Sequence, residues 1–112
     1  MVGGKGKRVV LVTCGSINEA RKIARGVVSV RLAACVNIGT APVESVYRWK
    51  GKVETAREFL LVMKTTAPRL RELEKEVKRL HSYDVPEFVV LEIKAGSAEY
   101  LRWVEESVKR KS

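Results

Sequence analysis

Few side chains in this chain have wide chemical reach. Two cysteines, Cys14 and Cys35, and one histidine, His81, are spread over 112 residues. Thiolate and imidazole together form a soft to borderline donor set, which suits copper or zinc better than magnesium. The cysteines lack Cys-x-x-Cys spacing, so neither a zinc finger nor a thioredoxin-like pair is indicated. Asp84 and Glu87 follow His81 closely, flank Val85-Pro86, and add carboxylates to a compact polar loop. A single histidine cannot build a dense site within one chain. Ligands would have to gather across subunits, or Asp84 and Glu87 would have to join His81.

Each of these residues also has a structural reading. Cys35 falls in a strand pattern and is most simply a small core residue. Cys14 ends a strand beside a helix N-terminus, a setting that lowers a thiol pKa, although a neutral packing role competes. His81 follows a helix, where a cation suits the dipole, so capping competes with metal ligation. The expectation is that His81, with Asp84 or Glu87, is the solvent-accessible site for a divalent ion, its binding weakening as the imidazole protonates. Cys35, buried, would react only with soft ions that penetrate. There is no Gly-x-Ser-x-Gly elbow, P-loop, Gly-x-Gly-x-x-Gly or His-Glu-x-x-His, so no enzyme is indicated.

The segment that organises these groups is VESVYRWKGKVETAREFLLVMKT, Val43 to Thr65, which reads as one long β-hairpin. Tyr47 and Trp49 share a face at period two, and Lys50-Gly51 forms the turn. Counting outward pairs Trp49 with Lys52, Tyr47 with Glu54 and Glu44 with Arg57, the last a favourable charge pair. Thr55 to Glu58 is poor strand material, so a bulge is expected there. Phe59 to Met63 reads as a strand buried on both faces. Arms this long outrun a small domain and should pair with another subunit, with Tyr47 and Trp49 as interface anchors or ligand contacts.

Before the hairpin, Val9 to Val12 reads as a central strand, and Ser16 with Glu19 has capping-box spacing. The helix that follows places Ala20, Ile23, Ala24 and Val27 on one face, and Ala34, Val36 and Ile38 alternate as a second strand. Gly39 and Pro42 bracket a kink. After the hairpin, a helix with Pro68 in its first turn carries Leu70, Leu73, Val77 and Leu80 inward. Glu87 to Ile93 is a strand, and Gly96-Ser97 starts a last helix with Leu101, Val104 and Val108 inward. The order β-α-β-β-α-β plus a C-terminal helix predicts an α+β, ferredoxin-like antiparallel sheet. Residues 1–7 are expected to be a loose tail, 8–108 the single domain, and 109–112 a basic tail.

The net charge of +9 is concentrated at the ends: without Lys5, Lys7, Arg8, Lys109, Arg110 and Lys111, 16 basic residues face 13 acidic ones. No basic stripe interleaved with aromatics remains, so nucleic acid is not an expected partner. No apolar run approaches a membrane span, the N-terminal MVGGKGK lacks the apolar stretch of a signal peptide, and two cysteines fit a reducing cytoplasm better than a disulfide framework. Gln is absent and Lys, Arg and Glu abound. That bias predicts a thermostable protein with a midpoint above about 90 °C.

RLAACVNI (Arg31 to Ile38), SVYRWKGKVE (Ser45 to Glu54), Glu58, Lys64-Thr65, LHSYDVPE (Leu80 to Glu87), Gly96 and YLRW (Tyr100 to Trp103) closely resemble the CutA divalent-cation tolerance proteins. The likeness spans about residues 8 to 108. The family loop usually reads HPYEVPE, and here Ser82 replaces Pro and Asp84 replaces Glu. Some members carry their first cysteine two residues earlier, where this chain has Val12. The resemblance implies a ferredoxin-like homotrimer, similar in architecture to the nitrogen-regulatory PII proteins. It also implies cytoplasmic binding of copper or another divalent cation, and a role in metal tolerance. It marks Cys35 and His81 as positions discussed as metal ligands. Tyr47, Trp49, Lys52, Glu54, Lys64, Tyr83, Glu87 and Trp103 are marked as the set around an inter-subunit cleft. Two other readings stay open. One is a PII-like sensor with Lys52, Lys64 and the aromatics around an anion. The other is a scaffold whose trimer is its function.

Overall fold

The structure, a computed structural model, describes residues 1–110. Lys111 and Ser112 lie outside the described residues, and with them part of the expected basic tail. The chain runs β1 (Val2–Gly3), β2 (Lys7–Cys14), α1 (Ile17–Ser29), β3 (Cys35–Ile38), β4 (Val43–Trp49), β5 (Lys52–Thr66), a 3-10 turn (Ala67–Arg69), α2 (Leu70–Leu80), β6 (Val89–Glu92), β7 (Ala95–Gly96) and α3 (Ala98–Ser107). The main sheet is antiparallel in the order β3-β5-β2-β6, with β4 pairing the outer half of β5. This is the expected ferredoxin-like arrangement.

β5 holds the sheet together because its 15 residues serve three neighbours. Its inner half, Phe59 to Thr66, pairs with β2, and Leu61 to Lys64 also pairs with β3. Its outer half, Lys52 to Glu58, pairs with β4 in the expected register, Trp49 opposite Lys52, Tyr47 opposite Glu54 and Glu44 opposite Arg57. No bulge interrupts Thr55 to Glu58. The ladder is continuous because β4 supplies a partner to every residue of this stretch, which overrides weak local strand preference. Lys50 and Gly51 both have positive φ (50° and 79°), as a two-residue type I′ turn requires.

Alternation along β5 divides the sheet into two faces. Leu61 and Met63 join Val10, Val12 and Cys14 of β2 in the buried core beneath α1 and α2. α1 contributes Ala20, Ile23 and Val27, and α2 contributes Leu73 and Val77, so both helical stripes face inward as expected. Lys64 and Cys35, paired across β5 and β3, lie on the other face, where α3 brings up Tyr100. Val104 and Val108 complete a smaller cluster with Ala34.

Three local expectations change. Residues 1–7 are not all loose: β1 pairs with β7, Gly4 donates to the Lys94 carbonyl, and Lys7 begins β2 and bridges Glu105 at 3.0 Å. β6 is shorter than the expected Glu87-to-Ile93 strand, and it is a sheet edge with Val89, Val90 and Leu91 exposed. The Ser16 hydroxyl accepts the Glu19 N–H at 3.1 Å, but the Glu19 carboxylate does not return to cap Ser16. It reaches instead to the loop after α2, accepting the Ser82 N–H at 3.1 Å.

Candidate metal centre

Three element ends meet beside the core. β2 finishes at Cys14, α1 starts just beyond it with Glu19 in its first turn, and His81 caps the C-terminus of α2. Cys14, Glu19 and His81 each offer a donor atom, all within 4.8 Å of one another. The Cys14 thiol and the His81 ring are fully buried.

The His81 ring is fixed at both nitrogens. Nε2 lies 2.7 Å from the Thr13 carbonyl, which can only accept, so Nε2 carries the hydrogen. Nδ1 accepts the Tyr83 N–H at 3.1 Å. Glu19 Oε2 stands 3.5 Å from that same Nδ1, buried and without a hydrogen-bond partner among the described residues. The two atoms thus stand close with no hydrogen bond between them. Such a buried, unpartnered carboxylate oxygen is costly.

Burial drives the Cys14 thiol up to about 12, reinforced by the Glu19 and Glu58 carboxylates. The helix N-terminus beside Cys14 therefore does not win, because desolvation and two negative charges outweigh it. Tyr83 is likewise pushed up to about 12, by burial first and then by its hydrogen bond to Glu58 and the charges of Glu58 and Glu19. Both groups register a local excess of negative charge inside a chain of net charge +9.

His81 is not solvent-accessible as expected, because Thr13 and Tyr83 close over its ring. Asp84 and Glu87 do not converge with it; they line a cavity of about 680 Å³ between the hairpin and the 83–87 loop, together with Tyr47, Trp49, Glu58 and Tyr83. Cys35 is half-exposed rather than core, because it points to the sheet face away from α1 and α2. Its sulfur lies 3.9 Å from Lys64 Nζ and 3.7 Å from the Tyr100 hydroxyl, and Lys64 also meets Asn37 Oδ1. Burial, followed by the contact with Cys35, raises Tyr100.

The residues grouped around one cleft are thus divided in the single chain. Tyr47, Trp49 and Tyr83 share the cavity, Lys64 and Trp103 belong to the Cys35 side, where the Trp103 ring packs tilted against Tyr100 with centroids 5.5 Å apart, and Lys52 and Glu54 stand on the exposed outer hairpin. Sequence reasoning missed Glu19 and Glu58 as site residues. Glu19 was legible as a capping residue, which hid its second role. The signal for Glu58 was an acid set directly before a buried apolar run.

The match to a family is broad. Residues 8–107 match the family model described as CutA1 divalent ion tolerance protein. The chain belongs to the CutA1 family. A divalent-cation tolerance protein CutA from Thermus thermophilus is 48% identical over 101 residues, covering 90% of this chain and 97% of that one. A chloroplastic CutA 1 protein from Oryza sativa is 45% identical over 101 residues, and there the match covers 90% of this chain but only 56% of the rice protein. Among solved structures, the T. thermophilus Cut A1 protein has a TM-score of 0.89 at 47% identity, covering 92% of this chain and 99% of that one. A protein titled periplasmic divalent cation tolerance protein CutA, from Archaeoglobus fulgidus, has a TM-score of 0.87 at 38% identity, with the same coverage of 92% and 99%. Those names place CutA1 relatives in more than one compartment. In this chain, no helix among the described residues is long and apolar enough to cross a membrane.

Proposed function

We propose that this CutA1 chain binds a soft or borderline cation, copper first, through Cys14, Glu19 and His81, and that it does so as a non-enzymatic metal-tolerance protein. The observation that carries this reading is Glu19 Oε2, buried without a partner and facing His81 Nδ1 at 3.5 Å, with the Cys14 sulfur in the same cluster. The donor set fits such an ion: one sulfur, one imidazole nitrogen and one carboxylate oxygen select copper or zinc over magnesium or calcium. A bound ion would replace the thiol proton, satisfy Glu19 and draw Nδ1 away from the Tyr83 N–H. Breaking that hydrogen bond and deprotonating Cys14 are the costs, so only an ion with high thiolate affinity is retained. Cys35 offers a separate thiol beside Lys64. Both cysteines are free, which suits a reducing compartment such as the cytoplasm.

The experiment is a competition titration of copper(I), zinc(II) and magnesium(II) into the wild type, Cys14→Ser and Cys35→Ser. Zinc and copper(I) should bind wild type and Cys35→Ser alike, and Cys14→Ser about 100-fold more weakly or worse; magnesium should bind none of them. Loss of binding in Cys35→Ser alone would move the site to the Lys64 face.

Assembly is part of the proposal. Val46, opposite Thr55, and Val53, opposite Arg48, are both 66% exposed on the outer hairpin, and the β6 edge adds Val89, Val90 and Leu91. Exposed apolar arms and an open apolar edge are surfaces that strand pairing between subunits covers. A homotrimer is expected, so sedimentation equilibrium at micromolar concentration should give three times the 12.6 kDa chain mass. A single-chain mass would reject it.

A further inference from the structure

We propose that the cavity between the hairpin and the 83–87 loop is a site for a small organic cation, an ammonium group held against Tyr47, Trp49 and Tyr83 with Glu58 as its counter-charge. At about 680 Å³ the cavity lies in the range of small-molecule sites. Its walls are selective in charge. Although 22 residues of the chain are lysine or arginine, none lines the cavity, whose charged groups are Glu58, Asp84 and Glu87. Glu58 is only 9% exposed. Its Oε2 accepts the Tyr83 hydroxyl at 3.0 Å, and no cationic side chain among the described residues forms an ion pair with it. A buried carboxylate without a cation is an expensive arrangement unless something brings positive charge to it.

The aromatic residues decide what kind of cation fits. Tyr47, Trp49 and Tyr83 all line the cavity and all keep much of their surface exposed. Aromatic faces combined with a carboxylate are the recognised chemistry for ammonium groups. A metal ion is a poorer fit here, because Glu58, Asp84 and Glu87 do not form a converging donor cluster; among the described residues only Cys14, Glu19 and His81 do so. A diffuse organic cation needs no shared coordination sphere. An anion, the ligand expected from Lys52 and Lys64, would meet carboxylates instead, since neither lysine lines the cavity. Neither Cys14 nor His81 lines it, so the site is testable without metal, although Tyr83 and Glu58 border both sites.

The probe is tetramethylammonium chloride, titrated into the metal-free full-length assembly carrying Trp103→Phe. That leaves Trp49 as the sole indole, since the chain has two tryptophans. Sodium chloride at matched ionic strength and neopentyl alcohol, a neutral molecule of similar shape, serve as controls. The expected result is a saturable change in Trp49 fluorescence with tetramethylammonium alone, weakened about tenfold or more in Glu58→Gln. Tyr47→Leu, which lies outside the buried core and is first checked for unchanged assembly mass, should weaken it several-fold and decides the matter if Glu58→Gln does not fold. No saturable change, equal binding of the alcohol, or unchanged affinity in a folded variant would each overturn the proposal. Metal titration of the same protein is read separately, so either site can fail without the other.

Discussion

Truncating Leu61 to alanine is expected to destabilise the fold by about 2–5 kcal/mol, the range for deleting a large core side chain that leaves a cavity. Leu61 is fully buried at the point where β5 pairs on one side with Val12 of β2 and on the other with Ile38 of β3. Its neighbours are held in two ladders, so the backbone cannot collapse into the space, and the cost should fall in the upper part of that range. Guanidinium unfolding of both proteins at one fixed chain concentration measures the difference, the concentration being held because the proposed assembly would add to apparent stability. A loss below about 1 kcal/mol would show that the sheet relaxes and that β5 is not the member on which the core depends. The wild type itself should unfold above about 90 °C, as expected from its Lys, Arg and Glu content and from assembly.

Affinity for a thiophilic ion is expected to rise about tenfold for each pH unit between pH 6 and 9, roughly thousandfold in all. The sign follows from Cys14. Its folded pKa of about 12 means that the thiol holds its proton throughout this interval. An ion that takes the sulfur must displace that proton, so each unit rise in pH weakens the competitor tenfold and strengthens binding by the same factor. The sequence alone placed the competing proton on His81. The structure places the larger competition on the thiol, because burial and the carboxylates of Glu19 and Glu58 hold its proton. Titrations of zinc(II) at four pH values, corrected for buffer and hydroxide, should give a slope near +1 in log affinity. A flat profile in the wild type, or the same slope in Cys14→Ser, would remove the thiol from the site.

The sheet was legible because its signals are local and mutually consistent. Lys50-Gly51 set the hairpin register residue by residue, and the periodic stripes of α1, α2 and α3 chose their buried faces. The site was less legible because it depends on where element ends meet. Cys14 and His81 are 67 positions apart in the chain, and nothing in either neighbourhood shows that Thr13 supplies the carbonyl fixing the His81 ring. Proximity in sequence misled in the opposite direction. Asp84 and Glu87 follow His81 closely, yet the chain turns at Tyr83 and carries them to the cavity. Strand alternation resolves the cysteines. Cys14 shares the helix-facing side of the sheet with Val10 and Val12, whereas Cys35 lies opposite Lys64 on the other side. The outer hairpin and the β6 edge carry exposed apolar residues, Val46, Val53, Val89, Val90 and Leu91, and the length of the hairpin arms is the sequence signal behind the proposed pairing between subunits.

Cys14, Glu19 and His81 are proposed to hold the ion together. X-ray absorption spectroscopy of the Cys35→Ser protein loaded with one equivalent of zinc(II) tests it most directly, because Cys14 is then the only sulfur donor of the cysteine type. One sulfur at about 2.3 Å and nitrogen or oxygen neighbours at about 2.0–2.2 Å, including an imidazole, are expected. A shell of nitrogen and oxygen alone would contradict the proposal.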